Sequence, residues 1–225
     1  YRLLTGTALT TYHATQVFAA LVIVGIFTLF YLLTKRFFKK LPFSVYLALS
    51  VAFSAVSIWY SIAEAALYCT AITAALALMV WSLYFFVKAV WDETRENVQL
   101  AYAALGAGLG ALAFGCRPPI ALANILVLPM LVVFLKQRKF SLKLLGKLVL
   151  VALPYVLVAA GLMYYNYIRF DNPFEFGQAY QLTVADQHLY KITLNAETIV
   201  RVINESAHNF FGIGNITETF PYLRT

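Results

Sequence analysis

Long apolar runs separated by short polar breaks make up most of the chain. Six runs, at about 13–34, 42–60, 65–87, 98–115, 118–135 and 148–168, each approach the length of a membrane-crossing helix, which needs roughly 17–25 mostly apolar residues to cross about 30 Å of hydrocarbon. The first contains an uninterrupted apolar core from Val17 to Ile26. Because the breaks are short and polar or contain proline, consecutive helices are expected to run antiparallel. Beyond residue 168 the pattern changes. Asn195 reads as a helix N-cap with Glu197 in the first turn. Ile199, Val200, Ile203, Ala207, Phe210 and Phe211 follow at helical spacing, the mark of an amphipathic helix that either lies on a bilayer surface or caps the bundle. The expected architecture is all-α: a polytopic transmembrane bundle of about six spans over residues 1–168, with a partly helical segment at 169–225.

Composition excludes the alternatives to a membrane protein. Of the 225 residues, 62% are hydrophobic and 12% charged, whereas a soluble domain carries about 25% charged residues. No interior of this size hides so much apolar surface from water. The chain begins at Tyr1 without an initiator Met or a signal-peptide pattern and stops after the apolar stretch Phe220-Pro221-Tyr222-Leu223. It is therefore expected to be an internal segment of a longer polytopic protein.

The net charge of +7 is distributed unevenly. Eleven of the 17 lysines and arginines fall in alternate loops, at 35–41, 88–97 and 136–147, and the opposite side holds six bases against seven acids. Basic loops stay on the cytoplasmic side, so the N-terminal edge and the tail from Arg169 are expected outside. The same distribution explains the charge by topology and contact with anionic membrane lipids, with no nucleic-acid partner.

Span four carries Ala103, Ala107, Ala111 and Gly115 at four-residue steps, with Gly106 and Gly110 at the same step. Small residues in this arrangement let two helices approach closely in lipid. Pro154 interrupts the hydrogen-bond ladder of span six and is expected to kink it. Cys69 and Cys116 both sit toward the outer ends of their spans, where they read as small hydrophobes.

No phosphate-binding loop, glycine-rich dinucleotide turn or nucleophile elbow is present. His13, His188 and His208 stand apart from one another and from cysteine, so no metal or cofactor is implied. The candidate chemistry lies in ionisable residues near the membrane, which are costly there and mark functional sites. These are Glu64, Arg117, Arg169 and Glu175, all on the expected outer face. Arginine at a helix end suits a lipid phosphate, which it meets with parallel hydrogen bonds; snorkelling to the interface accounts for the same position. The turn Asp171–Gly177 is expected to be fixed by Asn172-Pro173 and to use Gly177 at a positive φ. It would carry Glu175 back toward Arg117 or Arg169, there to orient a guanidinium rather than to serve as a base.

The run Tyr165-Asn-Tyr-Ile-Arg-Phe-Asp-Asn-Pro-Phe-Glu-Phe-Gly177, followed by Gln178-Ala-Tyr-Gln-Leu-Thr183, resembles the YNYxRFGSPFEFGxxYQ segment of bacterial polytopic membrane proteins grouped with the GT-C-type glycosyltransferases. That group includes polyprenyl-phosphate-sugar-dependent mannosyltransferases and aminoarabinose transferases. Cys116-Arg117-Pro118-Pro119 is similar to the ARP that precedes a helix in the group, and Phe220-Pro-Tyr-Leu223 to its FPYL. Asp171 and Asn172 depart from the usual Gly-Ser. The resemblance implies a multi-pass protein of the bacterial cytoplasmic membrane that takes a sugar from a lipid-linked donor on the extracytoplasmic face. Arg117, Arg169, Glu64, Glu175 and Tyr180 are then substrate-binding candidates. The family's catalytic carboxylate occupies the first extracytoplasmic loop, which would precede Tyr1, so no catalytic residue is assigned.

Two other classes fit a bundle of this kind: a transporter or flippase of lipid-linked saccharides, and a non-catalytic membrane scaffold. Ion-coupled transport predicts charges at mid-membrane depth, and the middles of the six runs contain no Asp, Glu, Lys or Arg.

Overall fold

The computed structural model describes residues 6, 8, 10–92, 95–136, 142–177, 195–211, 215–216 and 223–224. The chain divides into two compact units, Tyr1–Phe174 and Glu175–Thr225.

The first unit is a helical bundle. Helix α1 spans Thr11–Phe37, α2 Phe43–Ala63 and α3 Leu67–Val87, the last continuing through a π-helical turn at Lys88–Asp92. Helix α4 spans Glu96–Cys116. The fifth crossing is composite: α5 at Pro118–Ala121, a 3₁₀ segment at Leu122–Leu126 and α6 at Val127–Lys136. Helix α7 spans Leu142–Phe170 and runs through Pro154 without a break in the helix. Among the described residues, six helices are thus long and apolar enough to cross a membrane. The protein is an all-α, multi-pass integral membrane protein. Helix α7 begins earlier than hydropathy alone indicates, because the leucines at 142, 144, 145 and 148 continue the helix around two lysines.

Local chemistry sets the helix ends. The Thr10 hydroxyl accepts from the His13 amide at 3.3 Å and caps α1. Pro42 precedes the first turn of α2, where its missing N–H costs nothing. Arg117 adopts an extended backbone (φ −156°, ψ 98°) between α4 and α5, as a residue before proline must when it leaves a helix.

Helices α3 and α4 form the centre, with α1 packed on α3, α2 on α1, and α7 on α4. Small side chains permit this closeness. Ala103, Gly106, Ala107, Gly110 and Ala111 are all buried on α4, while Gly115 lies against Leu162 of α7. A Cβ on Gly25 would come within 2.8 Å of Val80, and one on Gly106 within 2.9 Å of Phe86. Interhelical hydrogen bonds add to this packing: the Thr15 and Thr70 hydroxyls meet at 2.6 Å, and Trp81 donates to the Leu21 carbonyl at 3.0 Å. Cys69 and Cys116 are free thiols.

At the end of α7, Asp171 takes a left-handed conformation (φ 54°) and its amide donates to the Tyr167 carbonyl. Buried Asn166 donates to the Pro173 carbonyl at 3.3 Å, and Asn172 accepts from the Phe174 amide at 3.0 Å. Residues Asp171–Phe174 thus turn onto the end of their own helix.

In the second unit, α8 spans Ala196–Phe211, and a two-residue antiparallel pairing joins Asn215 to Arg224 and Ile216 to Leu223. Asn195 caps α8 by accepting from the Thr198 amide at 2.7 Å. Glu175 accepts from the Gly177 amide at 2.7 Å, and Gly177 has the expected positive φ, 78°.

Candidate functional site

The bundle has two chemically different ends. At one, Lys35 closes the last turn of α1, Lys88 begins the π-helical turn after α3, and Lys147 pairs with Glu96 at 2.6 Å. At the other, the C-terminus of α2, the N-terminus of α3 and the α4–α5 junction meet, and here Glu64 and Arg117 fall into one constellation.

Glu64 ends α2, its amide donating to the Tyr60 carbonyl, and its own carbonyl accepts from Ala66 at 2.8 Å in the tight link to α3. One helical turn separates Glu64 from Tyr60, which places the two side chains as neighbours on the end of α2. Tyr68 and Cys69 follow in the first turn of α3. Arg117 arrives from the α4–α5 junction. Its guanidinium carbon sits 4.2 Å from the centroid of the Tyr68 ring, and Nη2 donates to the Tyr68 hydroxyl. The extended backbone at Arg117 makes this reach possible, since a helical residue there would direct the side chain back along α4.

The result is a guanidinium stacked on and bonded to Tyr68, with Glu64 and Tyr60 at the adjoining end of α2. Glu64 and Tyr68 are exposed and Arg117 half-buried. The tyrosine ring covers one face of the guanidinium and engages one of its five donors. Within its unit, Arg117 forms no ion pair with a described carboxylate, leaving cationic donors for an anion.

Arg169 repeats the motif on α7. Nη1 donates to the Tyr165 hydroxyl at 3.0 Å, and the guanidinium carbon lies 5.2 Å from the Tyr165 ring and 4.8 Å from Phe170. It stands about two turns beyond Leu162, the residue facing Gly115. The structure therefore sets Arg117 on Tyr68 and Arg169 on Tyr165, with Glu64 in the link that leads from α2 into α3. Glu175 belongs to the second unit, and Tyr180 lies outside the described residues.

A polar network within the spans was absent from the sequence-based expectation. Asn124 donates to the carbonyls of Gly110 (3.1 Å) and Ala121 (2.8 Å) and accepts from the Tyr155 hydroxyl at 2.9 Å. Ser82 donates to the Gly106 carbonyl at 2.7 Å. The network joins α3, α4, the 3₁₀ segment and α7. Both donors of Asn124 are spent, so the network fastens helices together rather than awaiting a ligand. A cavity of about 460 Å³ adjoins it, apolar except for Asn124 and Tyr155. A single asparagine in an apolar run was the available signal.

Among the described residues no cluster of His, Cys, Asp or Glu is arranged to hold a metal. Comparison with protein-family models, curated proteins and solved structures gives no match.

Proposed function

We propose that this protein is a GT-C-like glycosyltransferase component that binds a polyprenyl-phosphate-linked sugar at the end of the bundle carrying Glu64 and Arg117. The observation that carries this reading is the guanidinium of Arg117, stacked on Tyr68 and without a carboxylate partner among the described residues of its unit. A cation held rigidly at the end of a membrane helix, beside aromatic rings, suits a lipid phosphate. The Tyr165–Gly177 segment and Cys116-Arg117-Pro118-Pro119, similar to GT-C motifs, point to a lipid-linked sugar as the bearer of that phosphate.

In the transfer, the bond from the sugar's anomeric carbon to the phosphate oxygen breaks as the bond to the acceptor hydroxyl oxygen forms. The acceptor proton passes to a carboxylate, and polyprenyl phosphate leaves carrying the negative charge. Arg117 and Arg169 stabilise that charge where it develops. Glu64, at the adjoining end of α2, is a positioning candidate for the same end of the bundle. By the positive-inside distribution of lysine and arginine, this end faces outward across the bacterial cytoplasmic membrane.

The test is sugar transfer by the intact protein in proteoliposomes containing a polyprenyl-phosphate sugar. Loss of one charge-assisted hydrogen bond costs roughly 1.5–3 kcal/mol, so Arg117→Ala is expected to weaken donor binding about ten- to a hundredfold. Arg117→Lys, which keeps charge and loses the stacked fork, is expected to fall between. Undiminished transfer and donor affinity in an Arg117→Ala, Arg169→Ala double variant would overturn the assignment.

A further inference from the structure

The lysine-rich end of the bundle contains a second constellation, distant from Arg117 and independent of the function proposed for it. A pocket of about 290 Å³ opens between α1, α2 and α3, with Phe27, Tyr31, Lys35, Tyr46 and Tyr84 in its wall. We propose that this pocket is a binding site for the phosphate headgroup of an anionic membrane phospholipid, held by Lys35 and Tyr84 with Lys88 behind them.

The donor inventory selects these residues. The Tyr46 hydroxyl is committed to the Phe27 carbonyl at 3.1 Å. The hydroxyl of Thr28, also in the wall, is committed to carbonyls of its own helix at 2.8 and 3.0 Å. Tyr84 differs. Its hydroxyl oxygen accepts from the Lys88 ammonium at 3.4 Å, which leaves its own proton to donate. Lys88 lies 4.8 Å from the centroid of the Tyr102 ring and 5.6 Å from that of Tyr84, so its charge rests on two π-faces. Among the described residues neither Lys35 nor Lys88 is ion-paired, whereas Lys147 at the same end is. Lys35 and Tyr84 therefore line one pocket, the Tyr84 phenol is polarised from behind by Lys88, and no described carboxylate pairs with either lysine.

Position and charge complementarity identify the occupant. The pocket sits at the last turns of α1, the first turn of α2 and the last turn of α3, the level at which a bilayer's phosphates lie. Its basic rim meets an anionic headgroup, and the Phe27, Tyr31 and Tyr46 rings meet the first methylenes beneath it. The aromatic walls favour a lipid over a free anion. The π-helical turn that begins at Lys88 ends the regular helix where Lys88 leaves α3, the kind of local irregularity that attends functional positions.

The experiment uses the intact protein in nanodiscs of phosphatidylcholine with and without phosphatidylglycerol, reading lipid retention by native mass spectrometry. Wild type is expected to retain phosphatidylglycerol over phosphatidylcholine. The Lys35→Gln, Lys88→Gln variant is expected to lose that preference at least about tenfold, and Tyr84→Phe, which keeps the ring packing, to lose part of it. A Lys39→Gln, Lys40→Gln variant removes the same charge from the same end outside the pocket and is expected to retain the preference. Equal loss in the two double variants would reduce the effect to surface potential and overturn the proposal. Complete displacement of phosphatidylglycerol by millimolar inorganic phosphate would overturn it as a lipid site, as would no preference in wild type.

Discussion

At Gly110 an added methyl group would meet the Asn124 side-chain oxygen, with the Ser82 and Tyr155 hydroxyls each 3.0 Å away. The residue thus marks where three elements close upon α4, and its neighbours are polar atoms already engaged, Tyr155 with Asn124 and Ser82 with the Gly106 carbonyl. Gly110→Ala is expected to destabilise the bundle by about 1–3 kcal/mol, as overpacking does. Asn124→Ala removes the nearest obstruction along with its hydrogen bonds, so the double variant is expected to cost less than the sum of the two single ones. Unfolding in detergent, followed by the circular dichroism of the four proteins, measures both effects; strict additivity would mean that the two residues do not share one contact. The Gly106–Gly110 step already marked α4 as a close-packing surface. Its partner was not legible, because Asn124 and Tyr155 are brought in by the packing of separate helices and no local spacing relates them. Arg117 and Tyr68 illustrate the same limit. Each is noticeable alone, as a cation and an aromatic at a helix end, but 49 residues separate them and only the fold makes them a pair.

Element by element, legibility follows how far a signal reaches along the chain. The caps were readable because capping chemistry is complete within four residues. Asn195 satisfies the Thr198 amide with its side chain and the Ile199 amide with its backbone carbonyl. Asn195→Ala is expected to weaken the first turn of α8 by about 1 kcal/mol, seen as faster hydrogen exchange at Thr198 with little change in the middle of α3. Unchanged exchange at Thr198 would show that other contacts, and not the cap, hold that turn. The start of α7 at Leu142 was less readable. Two lysines among the leucines lower the hydropathy that marks a span, although lysine is a good helix former and its stem packs on apolar surface. The π-helical turn after α3 had no sequence mark at all, since it adjusts where the helix ends rather than which residues compose it.

For the whole molecule, the six crossings were legible because membrane insertion sums hydrophobicity over about twenty residues and tolerates local exceptions. Neighbour order was not, since the backbone of α7 lies closest to α4 and meets the preceding α5–α6 crossing only through side chains such as Phe134 with Leu144. Small residues on α4 supply the reason: they let two helices lie close along one surface, and Gly108 and Gly115 meet Pro154 and Leu162 there. Everything proposed for Arg117 depends on which end of the bundle faces outward, and the same orientation places the lysine-lined pocket on the inner leaflet. In a background with Cys69 and Cys116 replaced by alanine, single cysteines at Lys40 and Ala66 mark the two ends. A membrane-impermeant maleimide applied to intact cells is predicted to modify Ala66→Cys and to spare Lys40→Cys until the membrane is permeabilised. Modification of Lys40→Cys with protection of Ala66→Cys would contradict it, placing Glu64 and Arg117 on the cytoplasmic side.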